Sequence, residues 1–273
     1  HDWTPYRGPG HFPDADMLPL GKVEAGSVGG AGRATRFTTA EQFTLMSLWS
    51  IARSPLIHGG DMTQMDAFTL SLLTNLEVIA VNQRSTRNRQ LFRTGDLIAW
   101  VADDEDSTDK YLAVFNTGSA AASVPVPLAT LGYAGTVAVR SLWDRVDLGP
   151  VTGTFSPTIA SHGAALYRLS GVALPTPWIT TATPADGRAT LAWEPVAGAT
   201  TYRVKRATVE AGPYTVVAEA LAEPTFEQVD LVNGTLYYYV VSAMVGGVET
   251  PDSGARSVRP AGAPGIVSWN LDR

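Results

Sequence analysis

Apolar positions recur at helical spacing through residues 38–54, TTAEQFTLMSLWSIARS, where Phe43, Met46, Leu48, Trp49 and Ile51 make a broad stripe. The stripe is wide enough to predict burial on more than one side. Thr38 with Glu41 fits a capping box, in which each side chain satisfies an exposed backbone N–H at the helix start. Pro55 stops or bends this helix. The short apolar run at residues 56–58 predicts a buried strand, Gly59-Gly60 a turn, and residues 63–75 a second helix with Met65, Phe68, Leu72, Leu73 and Leu76 near one face. Helix, strand, helix is the rhythm of a parallel α/β layer. IAVNQ, at residues 79–83, closes this first region.

The period changes over residues 84–173. LFRTGDLIAWVAD, YLAVFNTG, AASVPVPLATLG, TVAVRSLWD and AALYRLS are short, Val-rich runs separated by Gly, Asp and Ser, the pattern of an antiparallel β-domain. The acidic run Asp103-Asp104-Glu105-Asp106 lacks the spacing and glycine of an EF-hand loop and reads as a solvated hairpin turn. Residues 174–182 are rich in Pro and Thr and form a linker. Residues 183–260 repeat the β rhythm, with Leu191 and Trp193 on one side of a strand, Tyr202 and Val204 inward on the next, and Tyr237, Tyr239 and Val241 sharing a face. About seven short strands in this span predict a sandwich. Residues 261–273 make a tail too short for a domain. Asn233-Gly234-Thr235 satisfies the glycosylation pattern, and its Asn-Gly pair reads equally as a turn.

Composition narrows the function. Of 273 residues, 45% are hydrophobic and 17% charged, which suits a folded chain. The net charge of -6 comes with no basic stripe, so neither nucleic acid nor an anionic membrane is an expected partner. There is no cysteine, which excludes disulfides, thiolate metal sites and a cysteine nucleophile. No apolar run approaches a membrane span. HDWTPYRG at the start has no signal-peptide pattern, and a processed N-terminus would look the same. P-loop, dinucleotide-binding, HExxH and GxSxG motifs are absent.

Candidate chemistry sits early, in HFPDADMLPL at residues 11–20. Asp14 and Asp16 could accept hydrogen bonds from sugar hydroxyls or divide acid and base roles. With His11 they could hold a divalent ion. The plain alternative is a capped turn before a buried segment, and the spacing alone leaves these readings open. Neighbouring proline and aromatic residues predict an extended segment or a loop, not a helix. His58 ends the short strand and reads as a packing histidine or a functional one. Asp61 suits a helix cap, and Trp49 suits the core.

GHFPDADMLPLG, FTLMSLWSIARSPLIHGGDM and LLTNLEVIAVNQ, in this order, resemble the later part of glycoside hydrolase family 27, the α-galactosidases and α-N-acetylgalactosaminidases. The family's W-N-D-P-D-M-L segment, on the seventh strand of a (β/α)8 barrel and its following loop, is matched by Phe12 to Leu18. Phe12 and Pro13 replace its Trp and Asn, and Ala15 its proline. The resemblance implies that Asp16 binds sugar hydroxyls, that Met17 lines the pocket, and that Asp14 supports them. PLIHGGD resembles the eighth strand and its loop. VRSLWD and HGAALYRL resemble the closing strands of the family's antiparallel domain. Residues 183–260 resemble a fibronectin type III module, with Trp193 as its core tryptophan, Tyr202 and Val204 on its third strand, and Leu231 with Tyr237 at its tyrosine corner.

The expected fold is therefore α/β followed by all-β. It comprises the last two strand–helix units of a barrel (residues 1–83), an antiparallel β-sandwich (84–173) and a fibronectin-like sandwich. The implied function is a fragment of a retaining exo-glycosidase acting on terminal α-galactosides, with the terminal sugar of an oligo- or polysaccharide as ligand and no cofactor or metal. The family's nucleophile and acid/base belong to the fourth and sixth strands, so no catalytic residue is assigned here. The alternatives are a non-catalytic carbohydrate-associated or spacer protein, and a barrel glycosidase acting on β-L-arabinopyranosides or α-glucans. Family and added module together imply secretion. A barrel takes about 250 residues, and two strands cannot close one, so an upstream barrel segment is the expected partner, in cis or in a second chain. Intact mass of the native polypeptide checks this: a value far above 29.0 kDa is expected, and a monomer of this chain alone that hydrolyses sugars would refute it.

Overall fold

Capping chemistry sets the helices. Helix α1 (Thr39–Ala52) starts on the expected capping box, with Glu41 N–H donating to Thr38 Oγ1 at 3.3 Å and Thr38 N–H to the Glu41 carboxylate at 2.8 Å. It ends on Arg53, left-handed at φ 54°, two residues before Pro55. The computed structural model describes residues 10–25 and 31–262. Residues 1–9, 26–30 and nearly all of the tail lie outside the described residues.

The region after α1 departs from expectation in three places. Residues 56–58 form no strand. His58 makes a single parallel bridge to Leu18, and Ile57 is 46% exposed. One short neighbour cannot sustain a ladder, and Pro55 contributes no N–H. The helix expected over residues 63–75 is broken into a 3₁₀ turn, Met62–Gln64, and α2 (Ala67–Leu73). Two aspartates break it: Asp61 caps the first turn through Thr63 N–H at 2.8 Å, and Asp66 starts a new helix through Thr69 N–H at 2.7 Å. Residues 79–83 then lie inside a further helix, α3 (Leu76–Arg84), capped by Asn75. A hairpin of β1 (Lys22–Ala25) and β2 (Ala31–Ala34) precedes α1.

The antiparallel region builds a six-stranded sheet. Its strands are β3 (Ser85–Thr94), β4 (Leu97–Asp104), β5 (Lys110–Asn116), β8 (Val137–Ser141), β9 (Val146–Val151) and β12 (Ala164–Ser170), in the order β3-β4-β5-β12-β8-β9. Short pairs, β6 (Ala122–Ser123) with β11 (Thr158–Ile159) and β7 (Val126–Pro127) with β10 (Thr154–Phe155), accompany it. On one face Ala99, Val101, Leu112, Val114, Val139 and Leu169 pack with Val124, Val126, Leu128 and Phe155. On the other, Trp100, Ala102, Tyr111, Ala113, Phe115 and Leu166 pack with Met46 and Ile51 of α1 and Val78 and Val81 of α3. Alternation along each strand sends successive side chains to the two cores. Helix α1 is thus buried on more than one side, against α3 and against the sheet, as its broad stripe predicts.

The chain divides into two compact units, His1–Ala173 and Leu174–Arg273. Within the second, β13 (Ile179–Ala185), β14 (Arg188–Trp193) and β17 (Thr225–Gln228) form one sheet. The other contains β15 (Ala199–Ala207), β16 (Thr215–Leu221), β18 (Tyr237–Val245), β19 (Val248–Glu249) and β20 (Arg256–Val258). The inward residues are those the alternation predicts: Leu191, Trp193, Tyr202, Val204, Tyr237, Tyr239 and Val241 share one core. Trp193 and Tyr202 meet edge to face with centroids 5.4 Å apart. Tyr237 Oη accepts the Val232 N–H at 3.2 Å, closing a corner five residues upstream. Gly234 takes the positive φ expected of the Asn-Gly turn, at 82°. No helix among the described residues is long and apolar enough to cross a membrane.

Asn75 ties helix to sheet. Its Oδ1 accepts from Glu77 and Val78 N–H at 3.1 and 3.4 Å, while its Nδ2 donates to Leu142 O at 2.9 Å. Asn75→Ala removes a cap worth about 1 kcal/mol and strands a buried carbonyl at about 1–3 kcal/mol. Urea unfolding is expected to show a loss of about 2–4 kcal/mol. A loss under about 0.5 kcal/mol would remove this tie from the account.

Candidate functional site

Leu18 fixes the floor of the site. Its N–H donates to Ile57 O at 2.7 Å and its carbonyl accepts from Gly59 N–H at 2.8 Å, so residues 17–18 and 57–59 run side by side in parallel. Leu18 and Leu20 are fully buried with Met46, Ile51 and Leu72, which fixes this pair to the helix layer. Side chains alternate along such a pair, so Met17, Ile57 and Gly59 take the opposite face from Leu18. Met17 is 53% exposed there. Gly59 gives it room: a Cβ on Gly59 would stand 3.0 Å from Met17 Cβ. Gly60 is tighter still, since a Cβ would stand 2.3 Å from Leu20 O.

The segment carrying the acids is a loop. Asp14 Oδ1 accepts the Asp16 N–H at 2.9 Å, an Asx turn. Asp16 sits in the left-handed region at φ 73°, which Asp tolerates better than most residues. Asp16 Oδ1 accepts from Met17 N–H at 2.7 Å. Asp16 is exposed, and its second carboxylate oxygen makes no hydrogen bond among the described residues. The two acids thus divide tasks, with Asp14 shaping the backbone and Asp16 presenting charge.

The other candidates settle differently. Trp49 is half-buried and packs against the helix-layer core, as its place on the stripe predicts, and its indole N–H in addition donates to Asp16 O at 2.8 Å. Its signal, an apolar residue on a helical stripe, carries no trace of a backbone acceptor. His58 shares the buried face with Leu18, away from Met17. Its Nδ1 is buried without a hydrogen-bond partner among the described residues, and burial pushes its pKa down. Asp61 is a cap, held below the usual carboxylate range by hydrogen bonds from Thr63. The acidic run is ion-paired: Asp103 with Lys110 at 2.6 Å, Asp104 with Arg168 at 3.4 Å and Asp106 with Arg84 at 3.1 Å. No cluster of three or more metal-ligating side chains occurs among the described residues, His11 with the two acids included.

Comparison with known proteins adds to this geometry. Residues 1–84 match the family model described as alpha galactosidase A, and residues 94–169 the model described as alpha galactosidase C-terminal beta sandwich domain. Both stretches are thus similar to glycoside hydrolase family 27, the family of the α-galactosidases. Alpha-galactosidase 2 of Arabidopsis thaliana is 32% identical over 174 residues, covering 62% of this chain and 40% of the relative. The alpha-galactosidase of Cyamopsis tetragonoloba is 33% identical over 169 residues, covering 60% of this chain and 38% of the relative. Among solved structures, a family 27 β-L-arabinopyranosidase from Geobacillus stearothermophilus is 40% identical at a TM-score of 0.59, covering 63% of this chain and 40% of that enzyme. The chain therefore spans about 40% of the length of the relatives it matches.

The depressed His58 sets a pH dependence. The folded state disfavours the imidazolium, so the unfolded state binds the proton more readily as pH falls below the ordinary value of about 6.5. Stability from this group is full above that pH and is lost as pH falls toward the lower folded value. Urea midpoints at pH 5 and pH 7 are expected to differ less in His58→Asn than in the parent chain. An equal difference would show that His58 is solvated in the folded state.

Proposed function

We propose that residues 10–173 form the C-terminal part of a retaining exo-glycosidase that removes a terminal α-galactosyl residue, or a closely related sugar, from an oligo- or polysaccharide. One observation carries the reading: an exposed carboxylate on a strained, tightly bonded turn beside an open apolar side chain, Asp16 beside Met17, within a chain segment similar to α-galactosidases. Asp16 accepts hydroxyls of the sugar, and Met17 gives its ring an apolar wall. Asp14 supports the turn. Phe12, Met17, Ile57, Met62 and Leu70 are all at least 40% exposed on the barrel-like region. Large apolar side chains left exposed on this region favour cover from further barrel strands, supplied in cis or by a second chain. Those strands would bring the nucleophile and the acid/base, and no cofactor is part of the proposal.

A second sugar has a specific observation behind it, the 40% identity to a β-L-arabinopyranosidase. β-L-Arabinopyranose has the ring hydroxyl pattern of α-D-galactopyranose without the exocyclic CH₂OH, so one hydroxyl-binding carboxylate suits both. The second unit we read as a fibronectin type III-type module acting as a spacer. Its two sheets, the Trp193–Tyr202 contact and the Tyr237 corner support this reading. Such an appended module fits a secreted enzyme.

The test is hydrolysis of p-nitrophenyl α-D-galactopyranoside and β-L-arabinopyranoside by the native polypeptide that contains this sequence. Asp16→Ala is expected to lower kcat/KM by at least about tenfold, the loss of one charge-assisted hydrogen bond. Unchanged kinetics would remove Asp16 from the pocket. No turnover of either glycoside by the unaltered polypeptide would favour a non-catalytic, carbohydrate-associated role.

A further inference from the structure

We propose that Trp49, Ser54 and Asn82 are positioning residues that lock Asp16 in its left-handed conformation and thereby set where its carboxylate meets the sugar. The inference rests on the sugar-binding reading of Asp16. A non-glycine residue at positive φ persists only where its surroundings over-determine it. Here the surroundings are two donor–acceptor pairs from one turn. Trp49 Nε1 donates to Asp16 O at 2.8 Å, and Ser54 Oγ accepts from Ala15 N–H at 2.9 Å. The C-terminal turn of α1 thus holds the peptide unit that follows the strained residue and the one that precedes Ala15, while Asp14 holds the unit between them through Asp16 N–H.

That turn is closed from behind by α3. Ser54 N–H donates to Trp49 O at 2.9 Å, and Asn82 Nδ2 donates to Ser54 O at 2.8 Å and to Trp49 O at 3.3 Å. Arg53, between them, lays its guanidinium over the Phe12 ring at 4.7 Å and donates to the carbonyls of Gln83 and Ser85. Both ends of the 12–16 segment are therefore tied to a single helix end, and that end is tied to α3. Trp49, Ser54 and Asn82 act through the backbone of residues 15 and 16. Relaxing φ at Asp16 would swing its carboxylate about the chain, and a displacement of about 1 Å at a sugar-binding group can cost about a hundredfold in rate.

Two measurements test this independently of each other. In the present chain, NMR is expected to show the Trp49 indole N–H protected from exchange and a left-handed backbone signature in the Asp16 carbon shifts. Trp49→Phe, which keeps a ring and removes the N–H, and Asn82→Ala should both erode that signature while the amides of β5 keep theirs. Indole exchange at the free rate in the unaltered chain, or Asp16 shifts unmoved in folded variants, overturns the proposal, and the first of these needs no variant to fold. In the native polypeptide with glycosidase activity, both variants should lower kcat at least about tenfold with KM within about threefold. A change confined to KM overturns the relay. If the unaltered polypeptide turns over no glycoside, the functional reading fails while the NMR measurement still decides whether the turn is locked in this way.

Discussion

Strand β5 is buried along its whole length, and that double burial orders the first unit. Leu112 and Val114 look into the sandwich, whereas Tyr111, Ala113 and Phe115 look at the helices. A sheet with one wet face would leave α1 and α3 with wide apolar surfaces and no partner. With both faces covered, the helices need only registration. Trp143 supplies it by donating its indole N–H to the buried Ser47 of α1 at 2.8 Å, and Arg140 by a bidentate pair with Glu77 of α3 at 2.8 Å. The loop of Asp14 and Asp16 hangs from the end of α1. The position of a surface carboxylate thus descends, contact by contact, from the middle of a β-sheet.

What could be read from sequence follows the range of each interaction. Capping is local, and the Thr38–Glu41 box and the Asp61 cap were both visible. Helix α3 is hidden from the local pattern, because Asn75 sits where one apolar period ends while it starts another helix, and its hydrogen bond to Leu142 O is a long-range fact. Asp66 was overlooked for a related reason: an aspartate inside an apolar period looks like a solvent-facing position until its side chain is seen folded onto Thr69. The β-regions were legible because alternation survives in them. In β5 the run YLAVFN merges two alternating faces into one continuous apolar string, which signals a strand without showing that two different cores claim it.

The site was legible in its residues and hidden in its mechanics. Asp14, Asp16 and Met17 stand out by resemblance as candidates, and the structure joins the two acids in an Asx turn. The hold of Trp49 and Ser54 on residues 15 and 16 runs through main-chain atoms, which every residue possesses and no side-chain pattern reports. His58 illustrates the converse. Its chemistry stands out, but its one backbone bridge is to Leu18, and its Nδ1 is buried without a hydrogen-bond partner among the described residues.

The close approach of Gly59 to Met17 carries an evolutionary corollary. With Cβ atoms only 3.0 Å apart after the smallest possible enlargement, positions 17 and 59 share one volume. A side chain at 59 is accommodated only if position 17 gives ground by a few tenths of an ångström or loses its own Cβ to glycine, so the two positions are coupled. Gly60, pressed against a carbonyl that cannot yield, has no such exchange open to it. Divergence in what this rim admits is therefore channelled through a correlated couple beside an immovable neighbour.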